Sequence, residues 1–174
     1  MAYTFLKSQG IPVGKSLVEE DKLDLAKDLM KKTGKIQFLL PIDHIIADKV
    51  DASANVEITK GIEIKDGWFG VDIGATTIIK YKSVIKSAKT IVLNGPMGVF
   101  EIDEFAGGTN AIVEAIADAT SKGAISIIGG GDSVSAVRKA GVADKVSHIS
   151  TGGGASLEFL EGLELPGIAA LKDK

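Results

Sequence analysis

Residues 124–133, Ala-Ile-Ser-Ile-Ile-Gly-Gly-Gly-Asp-Ser, decide the fold. Ile125, Ile127 and Ile128 form a β-branched apolar run that predicts a buried strand, and Gly129, Gly130 and Gly131 stop it abruptly. A helix is expected next, N-capped by Asp132 or Ser133, with Val134, Val137 and Ala140 at helical spacing until Gly141. Strand, glycines and helix N-terminus in succession make an anion site. Glycine removes the Cβ atoms that keep a phosphate off the backbone, and the free N–H groups of the first turn supply positive potential. Residues 146–156 repeat the design as Val-Ser-His-Ile-Ser followed by Thr-Gly-Gly-Gly-Ala-Ser, ahead of Leu157 and Leu160. A triple glycine here also serves as a plain tight turn. Neither copy is a G-x-G-x-x-G dinucleotide fingerprint, because Val134 and Leu157 stand where its third glycine belongs. Two copies in one chain favour a phosphate held from two sides.

Working back from this stretch, Thr90-Ile-Val-Leu93 reads as another buried strand, and Asn94-Gly-Pro-Met-Gly-Val-Phe-Glu101 follows at its C-terminal end. A helix opening at Thr76 or Thr77 precedes it, through Ile78, Ile79, Tyr81, Val84 and Ile85. Another follows Asp103, through Ile112, Ala115, Ile116 and Ala119. Such alternation predicts an α/β fold, a doubly wound and mainly parallel sheet with helices on both faces in a single domain, whose ligands collect beyond the strand C-termini.

The first half is less regular. Residues 1–8 are helix-compatible but begin at once, as if cut from something longer. Gly10-Ile-Pro-Val-Gly14-Lys15-Ser16 imitates a P-loop, yet it has too few residues between its glycines and no strand before it. Ser16 to Glu19 has capping-box spacing before an amphipathic run through Leu23, Ala26, Leu29 and Met30. Residues 37–41 and 44–47 read as β segments, and 56–58 and 62–64 as exposed strands. Trp68-Phe-Gly70-Val71-Asp-Ile-Gly74 could floor a pocket for a planar ring, although core packing accounts for both aromatics. Residues 162–171, interrupted by Pro166 and Gly167, read as extended chain.

Composition narrows the function. The 174 residues are 45% hydrophobic and 25% charged, with a net charge of −3, so no basic face for nucleic acid or anionic membrane is implied. There is no cysteine, which removes thiol chemistry and disulfides, and cytoplasm is the default compartment. No apolar stretch is long enough for a membrane span. His44 and His148, the two histidines, are distant in sequence and make a weak zinc site, so packed or hydrogen-bonded roles are favoured for both. Asp43, Asp48 and Asp72 near strand ends read as solvated turn carboxylates.

Three ordered motifs, Asn94-Gly-Pro-Met-Gly-Val-Phe-Glu101, Ile128-Gly-Gly-Gly-Asp132 and Lys145-Val-Ser-His-Ile-Ser-Thr-Gly-Gly-Gly-Ala-Ser-Leu-Glu158, closely resemble the nucleotide-binding C-terminal domain of the phosphoglycerate kinase family. The likeness covers essentially residues 1–174. It implies a glycolytic enzyme moving a phosphoryl group reversibly between 1,3-bisphosphoglycerate and ADP, with Mg2+. By motif position, Leu17, Gly70, Val71 and Val99 would line the adenine pocket, with Val50 near its edge. Pro96 and Glu101 would meet the ribose. Asn94 and the backbone of Gly130, Gly131 and Ser133 would hold phosphates, Asp132 would bind Mg2+, and Gly152, Gly153 and Gly154 would face the transferring phosphoryl group.

The departures shape what is expected of the isolated chain. The family's phosphoglycerate-binding N-terminal domain is absent, as are the first strands of the C-terminal domain and their lysine-bearing segment. Leu93 replaces the usual tryptophan, Ser133 the commoner threonine and Ala75 a proline. The chain is therefore expected to bind Mg-ADP or Mg-ATP without catalysis, to reach phosphoglycerate only through the missing domain, and to self-associate through an exposed sheet edge. The alternative is a non-catalytic interaction module that recruits the missing segment or another chain.

Overall fold

The computed structural model describes residues 1–150 and 152–171, so Thr151 of the second glycine loop lies outside the described residues. The chain divides into two compact units, one formed by Met1–Lys82 with Met97–Ala111, the other by Ser83–Pro96 with Ile112–Lys174.

The first unit begins with α1 (Ala2–Ser8), a 3-10 turn at Glu20–Lys22 and α2 (Leu23–Lys31). The capping box at Ser16 does not form. Ser16 Oγ instead accepts the Gly70 N–H at 2.8 Å, and the Glu19 N–H donates to Thr4 Oγ1 at 3.1 Å, so both residues stitch distant segments together. Three strands follow, β1 (His44–Ala47), β2 (Val56–Ile58) and β3 (Phe69–Ile73), in the order β2-β1-β3. Both pairings are antiparallel, with a bulge between Ile45 and Ile46, unlike the parallel order expected of the chain as a whole. The exposed strand at 56–58 is present, whereas residues 62–64 contribute only a bridge between Ile64 and Val13. Residues 37–41 form no strand because side chains of the next helix serve the backbone of this segment and its neighbours. Tyr81 donates to the Leu39 carbonyl, and Thr77 Oγ1 accepts the Ile42 and Asp43 N–H groups.

That helix, α3 (Ala75–Ser87), begins as expected and is capped from a distance. Asp43 accepts the N–H groups of Thr76 and Thr77, both at 2.8 Å, and the Thr77 hydroxyl at 2.5 Å. Burial pushes the Asp43 carboxyl up, but these bonds outweigh it and leave its pKa below the ordinary carboxylate value. Asp43 is therefore a buried cap and not a solvated turn residue. Ala47, Val71 and Phe105 form one core cluster of the unit, with Ile45, Phe69, Val99 and Ile102 packed against them. Burying a side chain such as Phe105 contributes roughly 1.5–3 kcal/mol.

The second unit carries β4 (Thr90–Asn94), most of α4 (Gly107–Ser121), β5 (Ile125–Gly129), α5 (Gly131–Lys139), β6 (His148–Ser150), α6 (Gly153–Leu160) and α7 (Pro166–Ala169). Here the expected parallel sheet is present, in the order β4-β5-β6. Ile91, Leu93 and Ile128 are buried, while Val92 and Ile125 are 43% and 55% exposed. The extended tail expected beyond residue 161 contains a short helix. Pro166 occupies its first turn, where the missing N–H costs nothing and the fixed φ suits the helix.

Candidate functional site

Register in the parallel sheet sets the site. Asn94 pairs with Gly129, and Gly129 with Ser150, so the three strands end in one row. Past that row both glycine loops turn directly into helices. The α5 cap is Gly130, in a left-handed conformation at φ +87° that favours glycine, and neither Asp132 nor Ser133 caps with its side chain. The helix starts two or three residues earlier than expected, because a glycine can make this turn without a side-chain acceptor. Its first backbone bond runs from Val134 N–H to Gly130 O, so the N–H groups of Gly131, Asp132 and Ser133 stand ahead of the helical ladder. In α6 the first such bond is Ser156 N–H to Gly152 O, leaving Gly153, Gly154 and Ala155 in the same position.

The loops touch. A Cβ on Gly153 would lie 2.5 Å from Gly130 Cα and 2.7 Å from Gly130 N, so the missing side chain at Gly153 permits a backbone-to-backbone approach. Around them Ser150 Oγ meets Ser156 Oγ at 3.0 Å, and the Asn94 side chain lies alongside Gly129 and Gly130. Ser133, fully buried, turns its hydroxyl to accept the Gly95 N–H at 2.6 Å. Asp132 is exposed on the first turn of α5. Two helix N-termini are thus held against each other with a carboxylate beside them, an arrangement suited to a polyphosphate and a cation.

The other predicted positions belong to the first unit, except Pro96, which follows β4. Gly70 sits on β3, where a Cβ would collide with the Tyr3 hydroxyl. The Val71 side chain is buried in the core, 1% exposed, and its carbonyl accepts the Val99 N–H at 2.8 Å. Leu17 and Val50 are exposed, as is Glu101, two residues beyond Val99. The structure therefore brings Gly70, Val71 and Val99 together on and beside β3. It gathers Asn94, Gly130, Gly131, Ser133 and Gly153 at the end of the parallel sheet.

Sequence reasoning took Asp72 for a solvated turn carboxylate, which its burial corrects. It is 2% exposed, its carboxylate bonded to the N–H groups of Ile73 and Gly108, and burial pushes its pKa up to about 6. The signal was present: an acid in the apolar run Val71-Asp72-Ile73 has no solvent to face. His44 is packed, as one of the two expected roles has it, but among the described residues neither ring nitrogen has a partner at full hydrogen-bond geometry. Its ring lies 5.6 Å from that of Tyr3.

The family model described as phosphoglycerate kinase matches residues 1–163. The chain belongs to the phosphoglycerate kinase family. The phosphoglycerate kinase of Chloroherpeton thalassium is 55% identical over 175 residues, which cover 99% of this chain and 44% of that protein. The cytosolic phosphoglycerate kinase of Nicotiana tabacum is 57% identical with the same coverage, and the chloroplastic one of Volvox carteri is 57% identical over all of this chain and 38% of its own. Among solved structures, phosphoglycerate kinase from Coxiella burnetii matches with a TM-score of 0.87 at 43% identity, over 93% of this chain and 42% of that one. The enzyme from Pyrococcus horikoshii OT3 matches at 0.80 and 32%, over 98% and 42%. The chain thus spans less than half the length of these phosphoglycerate kinases, which are glycolytic kinases with cytosolic and chloroplastic members. Among the described residues, no helix is long and apolar enough to cross a membrane.

Proposed function

We propose that this chain is the nucleotide-binding part of phosphoglycerate kinase, taking Mg-ADP and Mg-ATP in the cytoplasm. The observation that carries the reading is the contact of Gly153 with Gly130, which sets two helix N-termini at a fixed spacing beyond one row of strand ends. The N–H groups of Gly131, Asp132 and Ser133 would hold one part of the phosphate chain, and those of Gly153 and Gly154 the phosphoryl group in transfer. Asn94 would orient the chain between them. Leu17, Gly70, Val71 and Val99 would form the adenine side, with Val50 at its edge, while Pro96 and Glu101 would take the ribose. Phosphoryl transfer needs positioning and charge stabilisation more than covalent chemistry, which is what preorganised backbone dipoles supply.

The residues present fit magnesium. Among the described residues no cluster of three or more histidines and acids could enclose a metal, but Mg2+ needs only one or two carboxylates when phosphate oxygens and waters complete its shell. Asp132 would hold it, and when bound it would draw negative charge from the phosphate oxygens. Phosphoglycerate would be met outside this chain, whose single arginine, Arg138, lies in the last turn of α5. The chain alone therefore binds nucleotide without turnover. Calorimetric titration with Mg-ADP tests this: saturable binding weakened in Asp132→Ala, with no 3-phosphoglycerate kinase activity, is expected. A folded chain that binds no Mg-ADP would overturn the nucleotide reading, and turnover would overturn the claim of inactivity.

A second reading rests on the parallel sheet. Among the described residues β4 pairs with β5 alone, leaving one edge open. Beside it an apolar groove of about 440 Å³ is lined by Val92, Ile127, Phe159, Leu160, Leu165 and Ile168. Parallel sheets are normally covered on both faces, so we propose that a second copy pairs along β4 and covers this face. Sedimentation across a concentration series should show a dimer, and a monomer throughout would end this reading.

A further inference from the structure

The acid that nothing in the nucleotide reading uses is Asp72. Its carboxylate lies in the interior of the first unit, and no lysine or arginine pairs with it among the described residues. A buried carboxylate is held there only at a cost, which burial alone imposes and hydrogen bonds must offset. Its two bonds are specific. Oδ1 accepts the Ile73 N–H at 2.8 Å, and Oδ2 accepts the Gly108 N–H at 2.5 Å. Gly108 is the second residue of α4, so its N–H is one of the first-turn donors that the helix itself cannot satisfy.

The same helix turn holds the loop before it. Thr109 Oγ1 accepts the N–H groups of Met97 at 3.1 Å and Gly98 at 3.3 Å. Val99 N–H in turn donates to the Val71 carbonyl on β3. Gly98 and Gly108 both lie directly on Asp72: a Cβ on Gly98 would come within 2.6 Å of Asp72 Oδ1, and one on Gly108 would strike the same atom. Three members are thereby closed into a brace. β3 holds the loop through Val71 and Val99, the loop is tied to α4 through Thr109, and α4 is tied back to β3 through Asp72. Glu101 leaves this brace two residues after Val99.

We propose that Asp72 is a positioning residue for Glu101: by fastening the first turn of α4 to β3 it fixes residues 97–101, and so the place where Glu101 meets a nucleotide ribose. The proposal rests on the nucleotide reading above for what Glu101 binds, but the brace itself does not. Asp72 touches no ligand in this scheme and acts through the loop. A charged acceptor suits the task better than a neutral one, because hydrogen bonds to a carboxylate are stronger and the helix N-terminus favours negative charge.

The test is a double-mutant cycle with Mg-ADP on the whole chain, using Asp72→Asn, Glu101→Gln and the double variant, with amide hydrogen exchange measured on each. Asparagine keeps the size of the side chain but places an amide nitrogen where one oxygen accepted an N–H. Asp72→Asn is expected to weaken Mg-ADP about tenfold, the scale of a lost charged hydrogen bond, and the double variant to bind no more weakly than Glu101→Gln alone. Exchange at 98–102 should quicken in Asp72→Asn while Val92 and Ile127 in the other unit stay protected. Thr109→Val, which removes a different corner of the brace, should give the same local loosening and covers the case in which Asp72→Asn fails to fold. Additive losses of affinity, or unchanged exchange at 98–102 in a folded variant, would overturn the proposal. Failure of the unaltered chain to bind Mg-ADP would overturn the ribose role together with the nucleotide reading, whereas the exchange data would still decide whether Asp72 fixes the loop.

Discussion

Gly153 rests on Gly130 with no room between them for a single additional carbon. The two glycines are small for different reasons: a Cβ on Gly153 would strike the Gly130 backbone, whereas Gly130 holds a positive φ and a Cβ there would face the Asn94 side chain. The distance between the two helix N-termini is consequently a property of the sequence at these two positions.

Gly153→Ala should therefore force the loops apart. The expected cost is about 1–3 kcal/mol, the range for overpacking a tight contact, with loss of Mg-ADP binding. Gly131→Ala is the control, since a Cβ there meets nothing and the residue is already helical. Its stability should match or slightly exceed that of the unaltered chain. Urea unfolding of both variants checks the contrast.

Ser133→Ala should destabilise the second unit by about 1–3 kcal/mol, because the Gly95 N–H loses its acceptor. Ser133→Thr keeps the hydroxyl and should restore most of that loss. The Gly95 amide resonance should move in the alanine variant and return in the threonine variant.

Asp132→Asn should behave differently from both. The side chain is exposed and caps nothing, so stability should stay within about 0.5 kcal/mol. What should disappear is the magnesium dependence of ADP affinity, measured by titration with and without the metal.

His44 and Asp72 make opposite contributions to acid stability. Burial holds the His44 pKa below its usual 6.5, against smaller opposing effects from the Ile62 backbone and the Asp43 charge. Below pH 6.5 the unfolded chain thus takes a proton that the folded chain resists, and stability falls with pH. Asp72, raised by burial from 3.8 to about 6, protonates first in the folded chain, so acidification across that window favours folding. His44→Phe should remove the first effect and leave the second. Lowering the pH from about 7.5 to about 5.5 should shift the urea midpoint of His44→Phe further toward stability than that of the unaltered chain. The same shift in both proteins would assign acid sensitivity elsewhere.

What could be read in the sequence was whatever local spacing encodes. The isoleucines of β5 and the glycines after them placed the parallel sheet and the glycine loops at its end, because period and punctuation act within a few residues. What could not be read depended on partners far along the chain. Ser16 has capping-box spacing but serves Gly70, and Asp43 and Asp72 look like turn acids but cap helices 33 and 36 residues away. The antiparallel sheet was obscured for a related reason: its strands are short, one is fully exposed, and a bulge breaks the alternation. The role of Pro166 was a matter of position, since the same residue that breaks a helix interior starts one at its first turn.

The ammonium of Lys65 lies 3.7 Å from the centroid of the Trp68 ring, and the Trp68 carbonyl accepts the Lys15 N–H two residues before Gly70. Trp68 is the only tryptophan in the chain. Its fluorescence is therefore a single-origin signal from an indole with a cation on its face, pinned beside the strand proposed to receive the adenine. Any event that lifts Lys65 or shifts β3 alters that emission without a label, a mutation or a coupled enzyme. The molecule carries its own optical gauge at the one place where occupancy most needs to be seen.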